Sequence, residues 1–184
     1  MSRMRVVLNN VSCSDTEDVT GPDEFYLVGA ISDGTVTRAV LTKPISVNDG
    51  QTKSFGQGGG IVFDQDVQDN NVLKIALVAF DEDAGKDWAK YGDLVSIIGN
   101  AVSAGLATMP NPTTWAASVL IPFAIGAVGG LMGLDKDDRL GQYSCDFPVS
   151  ALEIGEHPQT WPFRGGHTRW SNWNYAVRFT ITKG

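Results

Sequence analysis

Two hydrophobic rhythms divide the chain. Met4–Val11, Phe25–Ser32, Thr35–Leu41, Val72–Phe80, Gln142–Val149 and Tyr175–Thr182 are short runs rich in β-branched and aromatic residues, and each predicts a strand. Asp33-Gly34 joins two of them as a hairpin turn, and Ile61–Phe63 begins a further strand after the turn-rich stretch Pro44–Gly60. Val-Leu-Lys-Ile-Ala-Leu-Val-Ala-Phe at 72–80 is nearly continuous in apolar residues and is the clearest buried strand in the chain. No strand–helix alternation runs through the set, so the pattern predicts an all-β, antiparallel sandwich or barrel. Between Leu94 and Leu134 the rhythm changes. Leu94, Ile97, Ile98, Ala101, Val102 and Gly105 recur at helical spacing, with Ser96, Asn100 and Ser103 opposite. Pro110-Asn111-Pro112 interrupts, and Thr113 or Thr114 is placed to cap a second helix running to Leu134. The expectation is an α-helical hairpin, 94–134, inserted in one domain, 1–184, and returning to the rim it leaves.

Charge sharpens this picture. No side chain between Leu94 and Leu134 is charged, yet aspartates crowd both flanks: Asp81, Asp83 and Asp87 before, and Asp135, Asp137 and Asp138 after. A second acidic loop carries Asp15, Glu17, Asp18, Asp23 and Glu24. Carboxylates held together repel unless a cation neutralises them. Calcium takes six to eight oxygen ligands from flexible loops and suits such a set. A net charge of −7 without a basic stripe excludes a nucleic-acid partner, and it opposes adsorption to anionic lipid unless bound cations reverse the local sign. Cys13 and Cys145 have neither metal-ligand nor redox spacing; they are two buried thiols or one disulfide. The first ten residues hold no apolar signal core, so the expected location is cytoplasmic or peripheral to a membrane. Any extracellular role would need non-classical export.

Short motifs in these loops resemble the C2 domain, the calcium-dependent phospholipid-binding family built on an eight-stranded β-sandwich. The family's first calcium loop ends in Gly-x-Ser-Asp-Pro-Tyr-Val, and here Gly21-Pro22-Asp23-Glu24-Phe25-Tyr26-Leu27-Val28 occupies that place. Its third loop opens with Asp-aromatic-Asp and closes with Asp-x-Ile-Gly; this chain has Phe80-Asp81-Glu82-Asp83 and, beyond the insertion, Asp138-Arg139-Leu140-Gly141. The resemblance implies calcium ligands at Asp23, Asp81, Asp83 and Asp138, with Asp15 or Asp18 (or Glu17) as the other first-loop carboxylate. The departures are Glu24 where the family has proline, and an insertion far longer than the third loop holds.

That loop dips toward lipid in the family, so the resemblance implies a phospholipid membrane as partner. Thr113–Leu134 is just long enough to span a bilayer, whereas Leu94–Met109 is short. Ile97, Ile98, Trp115, Leu120, Ile121 and Phe123 are the expected membrane contacts, and Gly126, Gly129, Gly130 and Gly133 are spaced for close helix approach. The leading expectation is a calcium-dependent membrane binder whose apolar hairpin anchors in or perforates the bilayer, as a toxin or effector would. The alternative is a structural or interaction protein, with the hairpin as core or homo-oligomer interface and calcium only stabilising the fold. No nucleophile elbow, zinc-spaced histidine pair or phosphate-cradling loop is present, so catalysis is not expected. His157 and His167 fall in what reads as a turn-rich region, and the aromatic tail Trp161–Tyr175 reads mainly as packing.

Overall fold

A computed structural model describes residues 1–16, 21–56, 60–82, 91–108, 116–124, 126, 139–167 and 171–184. Among the described residues, ten strands form two antiparallel sheets: β1 (Ser2–Asp15), β2 (Asp23–Ser32), β3 (Thr37–Leu41), β4 (Ile45–Val47), β5 (Thr52–Ser54), β6 (Gly60–Val67), β7 (Val72–Asp81), β8 (Arg139–Pro148), β9 (Gly155–His167) and β10 (Ser171–Lys183). The β1 sheet runs β5-β1-β10-β9, with β6 also on β1. The β2 sheet runs β3-β2-β7-β8, with β4 also on β2.

Ten strands replace the expected eight because each sheet breaks one edge strand. β5 and β6 pair with successive parts of β1, and β3 and β4 with successive parts of β2, so eight positions are filled. Pro44 lacks an N–H and stands in the β3–β4 break; Gly56, with φ +127, stands in the β5–β6 break. β9 contradicts the turn-rich reading of residues 155–167. Its Pro158 and Pro162 pair opposite Thr180 and Ala176 on the sheet's outermost strand, where a missing donor interrupts no inner ladder. A register shift between Leu8 and Asn10 keeps Met4, Val6, Leu8, Val11 and Cys13 all facing inward on β1.

Between the sheets lies the main core: Leu8, Val11, Phe25, Leu27, Ile75, Leu77, Val177 and Phe179 are among its members. The β2 sheet is apolar on its other face too. Tyr26, Val28, Ala30, Ala76, Val78 and Phe80 form a second core with Ile98, Val102 and Leu106 of helix α1 (Tyr91–Ala107) and with Leu120, Ile121 and Ala124. The insertion therefore supplies a third layer. The described residues do not show the expected hairpin of two long helices. They show α1 and a short helical stretch, 117–124, while 109–115 and 127–138 lie outside the described residues.

Close backbone approach fixes the centre of the β2 sheet. A methyl group added at Gly29 would fall on the Ala76 carbonyl, backbone against backbone, with nothing free to yield. Gly29→Ala is expected to cost about 2–3 kcal/mol or to prevent folding, by the usual penalty for overpacking; urea denaturation measures it.

Candidate functional site

One end of the sandwich gathers the ends of five strands. β1 closes there on β10, with Cys13 opposite Tyr175 and Asp15 opposite Asn174. β2 begins there at Asp23, opposite Val47. β7 ends with Asp81 opposite Phe25, and β8 starts with Arg139 opposite Phe80. Strand parity places Asp23 with Phe25 and Leu27, and Asp81 with Ala79 and Leu77, on the inward face. Two carboxylates thus cap the end of the main core.

Both are buried, Asp23 at 0% and Asp81 at 2% exposure. An ionised carboxylate withdrawn from water needs donors. The Tyr175 hydroxyl donates to Asp23 Oδ2. The Glu24 and Glu82 backbone N–H groups donate to Asp81 Oδ1 at 2.7 and 2.9 Å, and Glu82 N–H also donates to the Glu24 carbonyl at 3.2 Å. Asp81 therefore ties the end of β7 to the start of β2 whether or not a cation is present. Tyr175 is wedged between Phe25 and Phe163, at ring separations of 5.4 and 5.7 Å. Burial, reinforced by the bond to Asp23, raises its phenol far above the ordinary range. Burial likewise pushes the Cys13 thiol up to about 11. Cys13 and Cys145 are both free thiols, but Cys13 alone is buried and Cys145 is half-buried, so the expectation of two buried thiols holds for the first only.

A neighbouring carboxylate escaped the sequence reading. Asp49, in the β4–β5 turn, accepts from the Thr16 backbone N–H at 2.8 Å and from its hydroxyl at 3.1 Å, holding the end of β1 to that turn. Asn48-Asp49-Gly50 was legible as a turn, but nothing local says that it reaches the acidic loop. Tyr175 was legible only as a core aromatic, since its partner is far away in sequence.

The sequence-derived ligand candidates divide as follows. Asp15 is exposed at the end of β1, and Asp23 and Asp81 are buried as described. Asp18, Asp83 and Asp138 lie outside the described residues, as do Glu17, Asp87, Asp135 and Asp137. Among the described residues no group of three or more His, Cys, Asp or Glu side chains could hold a metal. Two inward carboxylates already accepting protein hydrogen bonds fall short of calcium's six to eight oxygens. The described residues alone do not make a calcium site.

The candidate membrane contacts mostly point elsewhere. Ile98, Leu120 and Ile121 are buried in the second core, and Phe123 is half-buried against it. Ile97 is 38% exposed, and Trp115 lies outside the described residues. Ile98, Leu120, Ile121 and Phe123 are apolar because they cover a sheet. Gly105 lets α1 approach Phe123, whose ring any added methyl group would strike. Asp146 pins the short helical stretch: it accepts the Ala117 N–H at 2.8 Å and lies 3.5 Å from the ammonium of Lys74, whose side chain is 3% exposed. Among the described residues, no helix is long and apolar enough to cross a membrane.

No family model and no curated protein matches the chain. Among solved structures it is similar to a C2 domain, at 12% identity over 100% of this chain and 99% of that one, with a TM-score of 0.43. It is also similar to human GIVD cytosolic phospholipase A2 in complex with a fluorophosphonate inhibitor and terbium chloride. There the identity is 10% over 99% of this chain, the TM-score is 0.42, and the match covers 17% of the enzyme's length. A C2 domain of plant Extended Synaptotagmin 1 (its A domain) matches at 7% identity over 99% of this chain and 93% of that domain, with a TM-score of 0.39. Likenesses this distant say nothing about what the present rim binds.

Two outcomes follow from the buried rim. Tyr175→Phe keeps the ring contacts and removes one donor to Asp23, so it should cost about 1–3 kcal/mol in denaturant unfolding at neutral pH. The second concerns alkali. Cys13 and Tyr175 hold their protons to higher pH folded than unfolded, from reference values of 9.0 and 10.0. The stability this adds is complete below those unfolded values and is lost as pH rises through them toward the folded ones. The melting temperature should be level near neutrality and fall above about pH 9, less steeply in Cys13→Ala.

Proposed function

We propose that the chain is a peripheral membrane-binding module whose acidic rim binds calcium and, through it, anionic phospholipid. The observation that carries this reading is the pair Asp23 and Asp81, brought from neighbouring strands to one rim and held buried there. Asp15 ends β1 at that rim and Asp49 is hydrogen-bonded to Thr16 next to it, while the other candidate ligands, Asp18, Asp83 and Asp138, lie within a few residues of these strand ends in sequence. Calcium would supply the positive charge that a chain of net charge −7 lacks for attracting anionic headgroups. The chain's own contribution is position: Tyr175 and the Glu24 and Glu82 amides orient the two aspartates, while Asp49 and Thr16 tether the first loop. The protein acts as one module, by binding rather than by catalysis, at the cytoplasmic surface of a membrane. The helical layer stays on the β2 sheet, so contact is made by the rim and not by a spanning hairpin.

A second reading has its own support in the second core. If covering the β2 sheet is all that the insertion does, the chain is a structural or interaction protein, and a cation only stabilises it.

Co-sedimentation with phosphatidylserine vesicles, in calcium and in chelator, separates the two. Asp23→Asn with Asp81→Asn is the informative variant, because each amide oxygen still accepts the native hydrogen bonds while the charge is gone. Sedimentation that requires calcium, and in the double variant needs at least about ten-fold more of it, is the expected result. Failure to sediment in either condition, or binding indifferent to calcium, contradicts the proposal.

A further inference from the structure

One outermost strand, β3, lies open beside a cleft. It pairs with β2 alone. The Thr42 N–H donates to the Leu27 carbonyl at 3.0 Å, and the Asp33 N–H to the Val36 carbonyl at 3.2 Å. Antiparallel pairs alternate between bonded and non-bonded, so the same register turns the backbone groups of Val40 and Arg38 to β2 as well. Thr37 and Ala39 therefore turn their N–H and C=O groups to the free edge. Among the described residues no partner meets these four groups. Thr37 and Ala39 stand opposite Ser32 and Ala30, at the end of β2 remote from Asp23.

The cleft, of about 350 Å3, runs between β3 and α1. Thr37, Arg38 and Ala39 line one side, and Ser96, Gly99, Asn100 and Ser103 the other. The polar stripe that the sequence set opposite the apolar face of the helix thus borders a strand edge. Gly99 and Ala39, both half-buried, leave the floor without bulk. An edge strand and a helix bounding one slot suit strand addition by an extended peptide. Main-chain bonds to the edge then supply affinity, and alternate side chains supply selectivity.

Charge narrows the partner. Among the described residues Arg38 is the sole charged one lining the cleft; it is exposed and pairs with no carboxylate. A second copy using all four free backbone groups would set Arg38 directly against Arg38, and like charges so placed destabilise a pair of strands. A carboxylate at that position is favoured instead. On the other face of β3, Thr37 and Ala39 lie beneath α1, where small or hydroxyl-bearing side chains fit between them and the polar stripe.

We infer that β3 takes an added antiparallel strand from an extended acidic peptide, with Glu or Asp opposite Arg38 and small side chains opposite Thr37 and Ala39. The site is independent of the acidic rim and of calcium.

Amide NMR of isotopically labelled protein, in chelator and without vesicles, tests it by titration with the end-blocked peptide Thr-Thr-Ser-Glu-Ser-Thr-Thr. The signals of Thr37 and Ala39 should shift most, those of Ser96, Asn100 and Ser103 next, and all should saturate together. The peptide with Lys in place of Glu should bind at least about five-fold more weakly. Methylating the backbone nitrogens of the two serines removes both donors to the edge and should weaken binding at least about ten-fold. Arg38→Glu, an exposed change, should reverse the preference, so that the lysine peptide binds more tightly than the glutamate one. Absence of a saturable shift, unweakened binding of the methylated peptide, or a glutamate preference that survives in Arg38→Glu each overturns the inference. Shifts at Thr37 and Ala39 on raising the protein concentration alone would give the edge to a second copy and overturn it equally. Because neither calcium nor a bilayer is present, none of these results bears on the rim.

Discussion

The two central strands of the β2 sheet, β2 and β7, have no face that water tolerates. Along β7, Leu73, Ile75, Leu77 and Ala79 point to the main core while Ala76, Val78 and Phe80 point the other way, and every residue from Leu73 to Asp81 is buried. Antiparallel sheets usually leave one side to solvent. This one does so only along β8, and the chain must provide a second cover for β2 and β7. The uncharged insertion is that cover. Detaching it would expose Ile98, Val102, Leu106, Leu120 and Ile121 together with the sheet beneath. At about 2 kcal/mol for each such side chain, the loss is about 10 kcal/mol, an upper figure comparable with the whole stability of an ordinary domain. In water the layer stays docked.

That constraint reassigns the chain's most conspicuous feature. A long uncharged stretch and a third layer of core have the same composition, because both avoid water. What separates them is a partner, and the partner here is Tyr26, Val28, Ala30, Ala76, Val78 and Phe80 on strands remote in sequence. The apolar run at 72–80 already signalled a buried strand, and the insertion as core was the sequence's alternative reading; what was not legible was which strands it covers. One strand pair and one single strand were legible for local reasons, Asp33-Gly34 for the β2–β3 hairpin and the alternation of Tyr175–Thr182 for β10. β9 was not, because prolines at 158 and 162 carry the mark of a turn until the strand is known to be an edge. The expected first-loop and third-loop aspartates do meet at one rim in the case of Asp23 and Asp81. Their donors are Tyr175, from the last strand, and two backbone amides, and neither choice has a local signature.

The rim and the layer divide the labour of the fold. The layer stabilises the β2 sheet and holds the strands that deliver Asp23 and Asp81. The rim concentrates negative charge where loops, rather than strands, can adapt to a ligand. Burial at this end is tolerable because each carboxylate finds donors, and the same burial keeps Tyr175 and Cys13 protonated into alkali. The flank between the broken edges is a third region of the fold. Its breaks arise from Pro44 and from the glycines at 56 and 60, and not from anything at the rim.

Hydrogen exchange across α1, in buffer and then with calcium and anionic vesicles, tests this arrangement most directly. The account predicts that the amides from Ile98 to Leu106 are protected to a degree similar to β7, and that they keep this protection in both conditions. Selective loss of protection in α1 while β7 stays closed, in either condition, would show that the layer leaves the sheet and would contradict the account.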